Sequence, residues 1–313
     1  VRHVNGKEGS MSRFNEMKGI FGLLPTPYDA DGEVLERDLR AAADFCCRSG
    51  QHGIVWPVMV GEFYFLGEDE RIRHLETVMD EVGGRLPVVF GCSGVSVSQV
   101  VLFARAAQER RADSIIAMAP ARTDASIAMD MYRRMADVFD GPIMVQNADM
   151  YAPLRGEQVA QLVDEIPQVE YVKEERQPGP KHIAEVHSMV GDRVKCIFGG
   201  AGGKFLPDEL NRGALGCMPA CELADVLVKI YDVWQGGDRE RAREIHRRLL
   251  PLINLETHPF MRYILKRRGV FTSLEERTPP GALALDEADR REISTLLEAI
   301  EDDVMGFPFE GDE

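Results

Sequence analysis

Short, nearly continuous apolar runs alternate along this chain with longer stretches in which apolar residues recur every three or four positions. The runs are Gly19 to Pro25, Gly53 to Pro57, Pro87 to Gly91, Ser114 to Met118, Pro142 to Asn147, Val169 to Glu174, Val194 to Phe198 and Ala214 to Met218. Runs of this kind, with little polar alternation, predict strands buried on both faces of a parallel sheet. The longer stretches predict helices over Asp38 to Ser49, Glu68 to Val82, Ser96 to Arg111, Ser126 to Phe139, Gly156 to Glu165, Lys181 to Val190, Lys204 to Asn211 and Cys221 to Trp234. Ser96 and Ser126 stand where N-capping residues are expected.

Eight strands, each followed by a helix, predict a (βα)8 TIM barrel in the α/β class. A doubly wound open sheet fits less well, because no GxGxxG follows the first strand. The pattern stays helical afterwards, over Asp238 to Leu250, His258 to Arg268 and Asp286 to Ile300. The expected organisation is an N-terminal extension over 1–18, the barrel over 19–235, C-terminal helices packed on it over 236–301, and a frayed acidic tail over 302–313.

Composition narrows the partners more than the fold. Hydrophobic residues make up 44% and charged residues 28% of the 313 positions, which is ordinary globular composition. The formal net charge is −15 with no basic stripe, which argues against nucleic acid and anionic membrane as partners, since both need clustered Lys and Arg. No segment is apolar for long enough to predict a transmembrane helix. Val1 to Ser10 lacks an apolar signal core, Met11 reads as a natural start, and a cytoplasmic location is expected. The cysteines Cys46, Cys47, Cys92, Cys196, Cys217 and Cys221 form no CxxC pair and read as reduced, buried thiols. No cofactor or metal is expected. Cys217 and Cys221 have no second ligand pair, and the histidines do not cluster at strand ends.

In a barrel of this kind the chemistry stands at the C-terminal ends of the strands and in the loops after them. Lys173 ends the sixth strand, after Val169-Glu170-Tyr171-Val172. Burial there would disfavour the ammonium ion and supply the free amine that attacks a ketone. The resulting iminium acidifies the adjacent carbon and permits aldol cleavage or β-elimination of water. Position alone also fits a lysine leaving the sheet for solvent. The glycine-rich run Gly199 to Gly203 is not a P-loop, because no GK[ST] follows. It reads as a tight βα turn or as backbone that approaches a ligand closely.

At these residues the chain resembles the dihydrodipicolinate synthase and N-acetylneuraminate lyase family, over about Gly19 to Gly269. The likeness rests on Leu24-Pro25-Thr26-Pro27 followed by Asp31-Gly32, on Gly61-Glu62, on Val172-Lys173-Glu174, and on Gly200 with Phe205-Leu206. It implies that Lys173 forms an imine with a small 2-keto acid, that amides near Met59, Val60 and Gly61 hold the substrate carboxylate, and that Gly200 lines the site. It also implies a homotetramer built as a dimer of dimers. The chain departs from the family where Met59 and Val60 replace two hydroxyl residues. Gln146 stands in place of the proton-shuttling tyrosine, and an amide is neither acid nor base near pH 7. A second family tyrosine would fall near Ala121 or Arg122.

Pro142 to Asn147 and Leu250 to Asn254 resemble the 2-keto-3-deoxy-L-arabonate dehydratases, while Gly61-Glu62-Phe63 with Leu66 resembles the 5-keto-4-deoxyglucarate dehydratases. The expected activity is therefore dehydration of a 2-keto-3-deoxy sugar acid. The alternatives are a pyruvate-releasing aldolase and a non-catalytic keto-acid-binding barrel. With the phenol gone, a water held by Gln146 and Asn147 is the first expectation for the proton relay. Glu62, Tyr64 and the substrate's own carboxylate are the others. Arg122 would clamp a distal carboxylate or hydroxyl, or serve as a surface or interface arginine. Met218, at the end of strand eight, completes the expected substrate contacts.

Overall fold

Eight parallel strands close into a barrel in their order along the chain, in a computed structural model that describes residues 14–150, 152–277, 284–305 and 308–309. They are β1 (Gly19–Leu23), β2 (Gly53–Trp56), β3 (Val88–Gly91), β4 (Ser114–Ala117), β5 (Ile143–Asn147), β6 (Val169–Glu174), β7 (Cys196–Gly199) and β8 (Gly216–Cys217). The helices between and after them are α1 (Glu36–Arg48), α2 (Glu68–Val82), α3 (Val97–Arg110), α4 (Ala125–Ala136), α5 (Gly156–Glu165), α6 (Gly179–Val190), α7 (Leu206–Asn211) and α8 (Ala224–Gln235). The predicted TIM barrel is thus the observed one.

Several ends shift. Pro25, Pro57, Pro87 and Pro142 fall outside the strands predicted to contain them, as expected of residues with no N–H to give a ladder. Ser96 caps α3 by accepting from Gln99 N. Asp124, not Ser126, caps α4, accepting from Ser126 N at 2.8 Å and Ile127 N at 3.2 Å.

Strand alternation sorts the core into two layers. Phe21, Val55, Val89, Ile116, Met144 and Phe198 fill the barrel interior, while their neighbours Ile54, Phe90, Ile115, Val145 and Ile197 pack against the helices. β6 keeps this pattern only after an irregularity. Ile143 of β5 pairs with Val169, but Met144 pairs with Tyr171, so Glu170 is an extra residue in the ladder. Val169 therefore joins the outer layer, Tyr171 the interior, and Val172 the outer layer again. A bulge of this kind re-aims the side chains beyond it. Here it turns Lys173 into the barrel mouth, beside its register partner Gln146 on β5.

Three further helices, α9 (Arg239–Ile253), α10 (His258–Arg267) and α11 (Glu287–Glu298), follow the barrel. His246 of α9 bonds through Nε2 to the Gly203 carbonyl at 3.0 Å. Arg262 of α10 donates to the Thr26 carbonyl at 3.0 Å and pairs with the Glu62 carboxylate. Arg268 donates to both carboxylate oxygens of Asp225, at 2.8 and 2.6 Å, in a fully buried fork, and to the Glu222 carbonyl at 2.7 Å. The chain does not fray from Asp302: Asp303 is buried and paired with Lys229 and Arg248, and Met305 N donates to Asp225 at 2.9 Å. The rest of the expected tail, and residues 1–13 of the expected extension, lie outside the described residues. Among the described residues no helix is long and apolar enough to cross a membrane.

The buried Arg268–Asp225 fork is the kind of pair whose half-removal strands a charge in the core. Asp225→Ala is expected to lower unfolding free energy by about 3–5 kcal/mol, read from urea denaturation midpoints. A loss below about 1 kcal/mol would contradict this account of how α10 is fastened.

Candidate active site

A cavity of about 390 Å³ opens at the C-terminal ends of the strands. Lys173 is buried at its floor, with Nζ 3.0 Å from Oε2 of Glu175. The same oxygen accepts from Nε2 of Gln146 at 2.7 Å. Residues 173 and 175 share a side because strand alternation carries one residue past the end of β6. Gln146 thus holds the carboxylate that pairs with the lysine, and its own Oε1 has no partner among the described residues.

The glycines at the end of β7 and in the loop that follows make room for three acids. A side chain at Gly199 would overlap the Glu209 carboxylate, one at Gly200 the Glu175 carboxylate, and one at Gly202 the Glu256 carboxylate. Gly202 also has φ +64°, where an L side chain is strained. The run therefore serves close approach, but to carboxyl groups of the protein. Gly200 does not itself line the cavity, whereas Ala201 and Gly202 do.

Crowding acids into a poorly solvated site raises their affinity for protons. Glu256 lines the cavity, and burial pushes its carboxyl up to about 7; the Lys173 charge opposes the rise and Glu175 adds to it. Glu209 sits behind the cavity. Burial raises its carboxyl to about 8, with Glu175 and Asp208 contributing. Its Oε2 has no hydrogen-bond partner among the described residues.

The other expected site residues divide. Met59, Val60 and Met218 line the cavity with Lys173 and Gln146. Gly61 lies behind that wall, its carbonyl accepting from Thr26 Oγ1 at 2.7 Å. Glu62, at φ 51°, turns into the buried pair with Arg262 and away from the cavity. Asn147 is not brought to the site either, because alternation puts it on the outer face of β5. There it bonds to Glu174 at 2.8 Å and to both the carbonyl and the amide of Leu154. A water held jointly by Gln146 and Asn147 is therefore excluded as the proton relay. Tyr64 and Arg122 are exposed and outside the lining. Cys92 is the small buried residue expected, its thiol pushed up to about 12 by burial. Glu175, Glu209 and Glu256 are the residues that sequence reasoning gave no role.

A sequence model of the dihydrodipicolinate synthetase family matches residues 16–300. An L-2-keto-3-deoxyarabonate dehydratase from Azospirillum brasilense is 28% identical over 272 residues, covering 84% of this chain and 88% of that one. A 4-hydroxy-tetrahydrodipicolinate synthase from Methanopyrus kandleri is 28% identical over 256 residues, covering 78% of this chain and 84% of its own. The crystal structure of dihydrodipicolinate synthase from Rhodopseudomonas palustris superposes with a TM-score of 0.82 at 24% identity, covering 90% of this chain and 97% of that one.

The raised Glu209 carboxyl carries a pH signature. Folded, it keeps a proton up to about 8 that an unfolded glutamate, near 4.5, has already released. Its contribution to stability is therefore fully present below pH 4.5 and is lost as pH rises towards 8. Glu209→Gln abolishes that loss, so the variant's Tm is expected to gain on the wild type between pH 5 and pH 9. A Tm difference that stays constant with pH would contradict it.

Proposed function

The chain belongs to the dihydrodipicolinate synthetase family and is a lyase, and from that premise we propose that Lys173 forms an imine with a 2-keto acid and dehydrates a 2-keto-3-deoxy sugar acid. The observation that carries this reading is the convergence of Lys173 Nζ and Gln146 Nε2 on one oxygen of Glu175.

An amine attacks a ketone only after giving up a proton, and Glu175 stands where it can accept that proton from Nζ. The carbinolamine then loses water to give an iminium ion that draws electrons from C3. Glu175 is again the base within reach, and it takes the C3 proton to leave an enamine. Gln146 moves no proton; it fixes the carboxylate that does. This explains a glutamine where the family's phenol is missing. The amide of Val60, a lining residue, donates to no group among the described residues, which supports its holding the substrate carboxylate.

The cavity wall also bears on the substrate's far end. Among the described lining residues Lys173 is the one cation, set against Asp149, Glu175 and Glu256. Met59, Met118, Met150 and Met218 supply adaptable apolar surface. A second carboxylate would meet like charge and no arginine. This favours a monoacid with an uncharged end over a diacid such as 5-keto-4-deoxyglucarate. The likeness to an enzyme named for L-2-keto-3-deoxyarabonate dehydration supports the same choice.

A panel of 2-keto-3-deoxy acids, with products identified by mass spectrometry, tests the reading. Monoacids are expected to lose water, and diacids to show kcat/KM lower by about tenfold or more. Lys173→Ala is expected to reduce turnover to background, and Glu175→Gln to lower kcat by about 10² to 10⁴-fold. Release of pyruvate plus an aldehyde by the wild type would replace dehydration with aldol cleavage. Turnover that survives Lys173→Ala would remove the imine altogether.

A further inference from the structure

Dehydration through an enamine needs two proton transfers at different atoms. A base removes the C3 proton, and an acid supplies the departing C4 hydroxyl. Glu175 is committed to Lys173 and to C3, and Gln146 cannot donate a proton to oxygen as an acid. Resting on the dehydratase reading above, we propose that Glu256 is the general acid that protonates the leaving hydroxyl.

Glu256 reaches the cavity from outside the barrel, on the short connection between α9 and α10. Both flanking helices are fastened. His246 ties α9 to Gly203, Arg262 ties α10 to Thr26 and Glu62, and Thr257 caps α10 by accepting from Phe260 N. The carboxyl end is seated against Gly202, which itself lines the cavity and whose missing side chain leaves the space. Among the described residues no hydrogen bond or ion pair satisfies that carboxyl. The residue is half-buried and lines the cavity, so its carboxyl can meet a ligand there. It is held by its backbone and left open towards the ligand space.

Its protonation fits the task. With the carboxyl raised to about 7 by burial, a large share of Glu256 still holds its proton near neutral pH, while Glu175 stands in an ion pair with Lys173. Two carboxyl groups in different surroundings, one paired with the lysine and one without a partner, can divide acid from base in one site. In the step itself the C3–H electron pair forms the C2=C3 bond as Glu175 takes the proton. The nitrogen lone pair then restores the C2 iminium, and the C2=C3 pair moves to C3=C4. The C4–O bond breaks with its pair on oxygen, and that oxygen takes the Glu256 proton and leaves as water. Hydrolysis of the unsaturated imine frees Lys173, and solvent carries the proton from Glu175 back to Glu256. Nothing is oxidised or reduced.

Glu256→Gln keeps the shape and removes the acid. Its dehydration kcat is expected to fall by about 10²-fold or more, and the decline of wild-type kcat above pH 7 is expected to vanish. Exchange of pyruvate methyl protons with deuterated water needs only Lys173 and Glu175, and it is expected to persist in the variant at near the wild-type rate. On a 4-deoxy-4-fluoro analogue, whose leaving group depends less on an acid, the gap between variant and wild type is expected to shrink towards a few-fold. Retention of dehydration with its alkaline decline would overturn the assignment while leaving the dehydratase reading intact. Equal loss of exchange and dehydration would overturn it in favour of a purely structural glutamate. Wild-type exchange without dehydration of any keto-deoxy acid would sink the dehydratase reading and this proposal with it.

Discussion

Between Ile143 and Met144 on β5 the partner on β6 jumps from Val169 to Tyr171, leaving Glu170 as an extra residue in the ladder. The Glu170 carboxylate lies 2.5 Å from Lys195 Nζ. Without that extra residue, strict alternation from the outward Val169 would send residues 171 and 173 towards the helices. The bulge reverses their facing, so Tyr171 fills the barrel and Lys173 enters its mouth. Gln146 then lies beside the lysine, and Glu175, two residues on, comes round to the same side. The lysine and its carboxylate are thus set by one backbone irregularity, which brings them to the amide that β5 alternation already turns inwards.

The end of β7 and the loop after it complete the site by omission. Gly199, Gly200 and Gly202 each leave a space that a carboxyl group occupies. Packing Glu175, Glu209 and Glu256 around one lysine in a poorly solvated region disfavours ionising all three. Glu209 and Glu256 respond with raised proton affinities, while Glu175 sits against the ammonium group. Of the three, Glu175 and Glu256 face the cavity, and Glu209 stands behind it. On the proposed reading, Glu175 and Glu256 do the proton work of the phenol that the family resemblance leads one to expect.

The barrel was legible in the sequence because continuous apolar runs and helical spacing are local signals, repeated eight times. Lys173 stood out because it ends a run, but position alone fitted a solvent-facing lysine as well, and the ordered family motifs favoured the site. Glu175 was within reach of the same reasoning, since a period of two places it with Lys173, yet two adjacent glutamates gave no reason to prefer one. The same period excludes Asn147, which adjacency to Gln146 alone had suggested. Glu62 and Arg122 were assigned from loop position, and the folded loops turn them elsewhere. Glu256 had no local signal at all. Its place depends on how α9 and α10 dock, through His246, Arg262 and Arg268, and those contacts span dozens to hundreds of residues.

Everything at this site depends on Lys173 being the nucleophile, and trapping reads that directly. Borohydride reduction in the presence of pyruvate, followed by proteolysis and mass mapping, is predicted to leave one adduct per chain, on the peptide that carries Lys173. The Lys173→Ala protein is predicted to carry none. An unmodified wild type, or an adduct that maps to another lysine and survives the substitution, would contradict the account.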